Sequence, residues 1–125
     1  MELVEDALSA NEAFYDAFGM GDVDAMFAIW AKEAPVTCLH PGWAPLHGRD
    51  AVLQSWRGIM ESPERPVIQC EEATAKVHGD TAIVLCYENL RGGYLLATNI
   101  FVREDGLWRM VHHQAGGPVA PPESS

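Results

Sequence analysis

Two groups of side chains in this chain have the types and spacing that proton chemistry needs. One is the stretch Val36–Asp50, VTCLHPGWAPLHGRD, which carries two of the five histidines, a tryptophan and two prolines. His40 closes its apolar start, immediately before Pro41-Gly42, and an imidazole there can take a proton near neutral pH. A turn histidine that only bonds local backbone is the plainer reading. The other group is Glu88, Asn99 and His112, one residue on each of three consecutive period-two runs. His112 opposite Asn99 would be an oriented imidazole, with Glu88 as diagonal partner fixing its tautomer. A carboxyl on a buried sheet face resists ionisation, which suits an acid–base role. A polar cluster satisfying itself under the helices is the alternative.

Those residues need elements to hold them. Leu3, Val4, Ala7, Leu8, Phe14, Tyr15 and Phe18 recur at helical spacing and predict a helix over residues 3–18. Asp22 is an N-cap for a second helix with Val23, Met26, Phe27 and Trp30 on its stripe, stopped by Pro35. A short strand at 36–40, a turn at His40-Pro41-Gly42 and a return strand at 43–47 follow. Gly48-Arg49-Asp50 opens a third helix bearing Val52, Leu53, Trp56, Ile59 and Met60, and Ser62-Pro63 ends it. From Val67 the period is two, giving strands at 67–77, 81–90, 94–104 and 107–115. His78-Gly79-Asp80, Gly92-Gly93 and Asp105-Gly106 are hairpin signals. Residues 1–115 are expected to form one domain, and 116–125, with three prolines, a disordered tail.

The hairpins predict register. A two-residue turn at Asp105-Gly106 pairs Arg103 with Trp108, Phe101 with Met110, Asn99 with His112 and Ala97 with Gln114. One at Gly92-Gly93 pairs Cys86 with Asn99 and Glu88 with Ala97. One face then gathers Cys86, Glu88, Asn99, His112 and Gln114 beside Phe101, Met110 and Trp108, with His113 turned away toward an interface. The opposite face, from Ile83, Leu85 and Tyr87 to Ile100 and Val111, is also apolar. A sheet apolar on both sides predicts helices on one and a second subunit on the other.

Composition removes several functions. A formal net charge of −10, with eight dispersed Lys and Arg, argues against nucleic acid and anionic membrane as partners. No window reaches the roughly 18 apolar residues of a membrane span. The acidic start lacks a secretory signal, and Cys38, Cys70 and Cys86 form no disulfide framework, so the expected location is cytoplasmic. His40, His47 and His112 share no ligand spacing, so no metal is expected, and strand cysteines in apolar surroundings make poor nucleophiles. No cofactor is expected.

Gly21-Asp22-Val23-Asp24, His40-Pro41-Gly42, Gly48-Arg49-Asp50-Ala51 and Trp108-Arg109-Met110-Val111-His112-His113 resemble the nuclear-transport-factor-2-like superfamily. The likeness is to its SnoaL-like cyclase and ketosteroid-isomerase branch and spans most of residues 5–115. It implies an α+β fold of the cystatin-like α+β barrel kind, with three N-terminal helices on a curved antiparallel sheet forming a cone around an apolar pocket. It also implies a homodimer through the outer sheet face. By the same resemblance His40 stands near the family's catalytic Asp, Phe14 at its oxyanion-hole Tyr, and Asn99 near its protonated Asp. Tyr15, adjacent to Phe14, is expected to point elsewhere. The catalytic candidates are thus His40, His112, Asn99 and Glu88. The ligand-contact candidates are Trp43, Tyr15, Phe14, Trp56, Met60, Phe101, Met110 and Gln114. Two functions stay open: an isomerase, cyclase or hydrolase-like enzyme moving a proton on a small apolar carbonyl compound, and a non-catalytic ligand-binding or dimeric association module.

Overall fold

Helical spacing gives way to strand alternation after residue 61, and the computed structural model, which describes residues 2–123, divides at that point. Three helices, α1 (Glu2–Met20), α2 (Val23–Ile29) and α3 (Arg49–Glu61), come first, with a short strand pair, β1 (Thr37–Leu39) and β2 (Leu46–His47), between the second and third in the chain. A meander follows: β3 (Gln69–His78), β4 (Thr81–Leu90), β5 (Gly93–Glu104) and β6 (Leu107–Val119). The six strands lie in the order β2-β1-β6-β5-β4-β3, so the fold is α+β with an open curved sheet, not a closed barrel. The sheet is also mixed rather than wholly antiparallel. β1 runs parallel to β6, with Thr37 beside His112 and Cys38 beside His113.

Local chemistry sets the helix ends. Asp22 accepts a hydrogen bond from the Ala25 N–H at 3.0 Å, capping α2 as its type and position predict. At the other end of α2 the Arg49 guanidinium donates to the carbonyls of Phe27, Trp30 and Ala31. A cation there satisfies the carbonyls that a helix C-terminus leaves without partners. Arg49 is therefore a clamp between α2 and α3. Gly48, the N-cap of α3, has φ +90°, a conformation that a side chain would strain.

Val52, Trp56 and Met60 of α3, Phe14 and Phe18 of α1, and Met26 and Trp30 bury against Val84, Phe101 and Met110 of the sheet. That inner face also holds Cys86, Glu88, Asn99 and His113. The outer face carries Leu85 and Leu96, 50% and 43% exposed, with Ile83, Tyr87 and Ile100 partly exposed beside them.

Three expectations need correction. The Asp105-Gly106 hairpin pairs Arg103 with Trp108 and Phe101 with Met110 as predicted, but Ile100 then meets His112. Val111 is an extra residue in β6, a bulge, and beyond it the side chains exchange faces. Asn99 consequently opposes His113, and Ala97 opposes Ala115. In the neighbouring hairpin Leu90 pairs with Gly93, so the turn is Arg91-Gly92. That offset is two residues, which leaves the faces of Cys86, Glu88 and Asn99 unchanged. Finally, β6 runs to Val119 and pairs it with Tyr94, so residues 116–119 of the expected tail are strand. Ser124 and Ser125 lie outside the described residues.

Candidate functional site

The parallel pairing of β1 with β6 decides what meets what. Cys38 sits beside His113 with both side chains inward, so two residues on, His40 faces inward as well. The chain then turns sharply: the Trp43 N–H donates to the His40 carbonyl at 3.0 Å, with Pro41 and Gly42 at the centre and Gly42 at φ +80°. This geometry suits Pro then Gly at a type II turn. It sets the Trp43 indole edge-on to the His40 ring, 4.7 Å between centroids. Trp56 packs on His40 at 4.7 Å and on His113 at 5.4 Å, so one indole spans both imidazoles.

A chamber of about 250 Å³ opens among these rings. Its apolar wall includes Phe14, Phe18, Trp43, Trp56, Ile59 and Leu95, and its polar groups are Tyr15, His40, Glu88 and His113. A larger, more open groove runs between α1 and β3, but its wall brings Glu12, Asp16 and Glu71 and neither histidine.

The hydrogen bonds at the chamber floor have a definite direction. Tyr15 Oη donates to Glu88 Oε2 at 2.7 Å. Its single proton is then spent, so it accepts from Asn99 Nδ2 at 3.2 Å. The same Nδ2 donates to Asn11 Oδ1 at 2.8 Å. Asn99 Oδ1 therefore faces His113 Nδ1 as an acceptor, 2.5 Å away, and His113 carries its proton on Nδ1. Its Nε2 keeps a lone pair, 3.9 Å from Glu88 Oε2. The Tyr15 hydroxyl also lies 3.3 Å from Cys86 Sγ.

His40 is oriented by the same kind of argument. Ser55 Oγ donates to the Val52 carbonyl at 2.7 Å, so it accepts from His40 Nε2 at 2.8 Å. The neutral ring thus has its proton on Nε2 and a lone pair on Nδ1.

Burial sets the charge states. It holds His40 down to about 4. His113 is held down to about 3, by burial first and then by His40 and His112. Both imidazoles are neutral bases at physiological pH. Burial pushes the Glu88 carboxyl up from its ordinary range, against the opposing effect of the Tyr15 hydrogen bond. Tyr15 is pushed up by burial and by Glu88, and stays a neutral donor. The Cys38 thiol, raised by burial to about 12, is no nucleophile at neutral pH.

These shifts predict a pH dependence of stability. The unfolded chain takes up protons at its histidines near 6.5, whereas the folded state refuses them until about 4 at His40 and about 3 at His113. Stability therefore falls as pH drops through 6.5 toward that range. Glu88 acts oppositely, since its stabilisation is present below 4.5 and is lost as pH rises through its raised folded value. Two buried histidines outweigh one carboxyl. Urea unfolding is expected to give a lower free energy at pH 5 than at pH 7, and equal values would refute the neutral burial of these rings.

A family model described as a SnoaL-like domain matches residues 7–120. The chain belongs to that family. Among solved structures, this SnoaL-like chain is similar to an NTF2-like protein of Streptomyces avermitilis, provisionally assigned as a dehydratase. The two are 36% identical over 94% of this chain and 96% of the other, with a TM-score of 0.84. A Thiobacillus denitrificans protein, provisionally assigned as a calcium/calmodulin-dependent protein kinase type II association domain, is also 36% identical. That match covers 88% of this chain and 92% of the other, with a TM-score of 0.76. Among curated proteins, the F-box protein SKIP8 of Arabidopsis thaliana is 29% identical over 110 residues, 86% of this chain. The SnoaL-like chain spans about half of that protein's length, 48%.

Of the expected site residues, the structure brings His40, Glu88, Trp43, Tyr15, Phe14 and Trp56 to the chamber. Asn99 lies just beneath it, fully buried. Met60, Phe101 and Met110 are core, not chamber wall. His112 and Gln114 are on the outer side of the Val111 bulge, and His112 Nδ1 there meets Thr37 Oγ1 at 2.7 Å. His113, expected to face outward, is the inward imidazole. Tyr15 points to the chamber rather than elsewhere on the helix. Asn11 and Ser55, which orient Asn99 and His40, were not among the expected residues. Asn11 had a visible signal, a polar residue at helical spacing from Ala7, Phe14 and Phe18.

Proposed function

We propose that this SnoaL-like chain binds a small neutral carbonyl compound in the chamber and moves a proton on it without a cofactor. The observation that carries this reading is the presence of two proton-handling groups in one apolar cavity. His40, neutral with its proton on Nε2 and a lone pair on Nδ1, and Glu88, a carboxyl of raised pKa, both line it. In the proposed step His40 Nδ1 takes the proton from the carbon next to the carbonyl, and protonated Glu88 gives its proton to the carbonyl oxygen. An enol forms; where the compound carries a double bond beyond that carbon, return of the proton from His40 to its far end, with the enol proton going back to Glu88, completes an isomerisation. Loss of a β-hydroxyl, with Glu88 protonating the departing oxygen, would make the same pair a dehydratase. The similarity to the Streptomyces protein supports that variant.

Because a base whose conjugate acid has a pKa near 4 is weak, the reaction needs help at oxygen, and Glu88 is the group placed to give it. Tyr15, Asn99 and His113 position that carboxyl. The test is deuterium uptake from D2O at the α-carbons of small cyclic ketones, followed by NMR. Ketone binding without exchange in the parent protein would remove the catalytic reading.

The second reading is an association module, favoured by the apolar outer face and by the similarity to the Thiobacillus protein. Leu85 and Leu96 at its centre support a homodimer across this face, whether or not the chamber is catalytic. Light scattering is expected to give twice the chain mass, and Leu85→Glu to halve it. A monomeric parent at micromolar concentration would refute the dimer.

A further inference from the structure

The chamber that the proposed reading uses also has a size limit and a charge limit, and one residue sets the first. Trp43, Ile59 and Pro66 form the wall between this chamber and an adjoining surface cleft of about 410 Å³. Trp43 is the largest of the three. Its ring is braced edge-on by His40 on the chamber side, while the residue is 49% exposed. An apolar cavity of about 150 Å³ takes one benzene ring, so a chamber of about 250 Å³ takes one ring or two fused ones. A four-ring ligand fits only if it crosses the Trp43 wall into the cleft.

The charge limit follows from what is missing from the wall. The ionisable groups lining the chamber are Tyr15, His40, Glu88 and His113, with no lysine or arginine among the lining residues. An anion entering it would shed its water and gain no counter-charge.

We propose that Trp43 is the size-determining residue of this site, and that the ligands it admits are neutral molecules of one or two fused rings. This inference rests on the chamber being the ligand site, but not on its being catalytic.

Isothermal calorimetry with α-tetralone, naphthoate and progesterone tests it. The two-ring ketone is expected to bind the parent protein at least about tenfold more tightly than either the two-ring carboxylate or the four-ring ketone. Trp43→Ala is expected to tighten progesterone binding by about tenfold or more, with Trp43→Phe retaining the exclusion. Trp43 lies half exposed in a turn, so thermal melting of the Ala variant should match the parent; if it does not fold, Trp43→Leu reads the same gain. No tetralone binding, equal binding of naphthoate, equal binding of progesterone by the parent, or no gain on opening the wall would each overturn the proposal. Selective tetralone binding without deuterium exchange would remove the catalytic reading and leave this one standing. Deuterium exchange on progesterone as fast as on tetralone would do the reverse.

Discussion

Asn99→Ala is expected to lower the unfolding free energy by about 4 kcal/mol, a large part of the roughly 5–15 kcal/mol available to a domain of this size. The reason is the number of groups that this one amide satisfies. Its Oδ1 accepts from His113 Nδ1–H, and its Nδ2 donates to Asn11 Oδ1 and Tyr15 Oη. Truncation leaves His113 with a buried donor and Asn11 with a buried acceptor, both without partners, at about 1–3 kcal/mol each. It also loosens the Tyr15 hydroxyl that holds Glu88, and breaks a network whose bonds reinforce one another. Urea titration and thermal melting read the effect directly. A loss under about 1 kcal/mol would mean that water enters and replaces the amide. Asn99→Asp separates the roles. The carboxylate still accepts from His113 but repels Asn11 Oδ1, and it favours the imidazolium. The His113 pKa, followed by NMR, should therefore rise from about 3 even where stability falls.

Why the sequence led to His112 and not His113 is a matter of what alternation records. Trp108 and Met110 face inward, and the Asp105-Gly106 turn fixes that register from its residue types alone. Beyond Met110 come Val111, then two adjacent histidines, and either histidine satisfies an apolar–polar pattern. The bulge at Val111 adds one residue without any glycine to announce it. Its support is long-range, since β6 there pairs with β1 in parallel, and hairpin reasoning does not reach a strand 75 residues earlier. The Gly92-Gly93 prediction was also displaced, but by two residues, so Glu88, Cys86 and Asn99 kept their predicted face. Parity survives even offsets and fails at odd ones. The helices were legible because their caps are local: Asp22, Gly48 and Ser62 each act within four residues. Asn11 and Ser55 escaped for the opposite reason. Each acts on a partner elsewhere in the chain, Ser55 on a loop histidine 15 positions away and Asn11 on an amide 88 away.

The expected rate effects follow from His40 and Glu88. His40→Ala and Glu88→Gln are each expected to lower kcat for α-proton exchange by about 10²–10³, with KM nearly unchanged, because each removes proton transfer rather than binding. The pH profile tells them apart. His40 acts when neutral, so activity falls as pH drops through about 4. Glu88 acts when protonated, so activity falls as pH rises through its raised value, above the ordinary 4.5. The parent profile is therefore a bell with one acid limb and one alkaline limb. Glu88→Gln keeps the shape of the side chain and a hydrogen-bond donor toward the oxygen, but has no proton to yield. Its residual activity should lose the alkaline limb and retain the acid one. His40→Ala should show the reverse. A residual profile still bell-shaped in Glu88→Gln would assign the alkaline limb elsewhere. His113 would be a poor candidate for it, since its Nδ1 proton is held by Asn99 and its ring stays neutral down to about 3. The carboxyl is the group in this chamber whose burial moves its titration toward neutral pH, and the imidazoles are moved away from it.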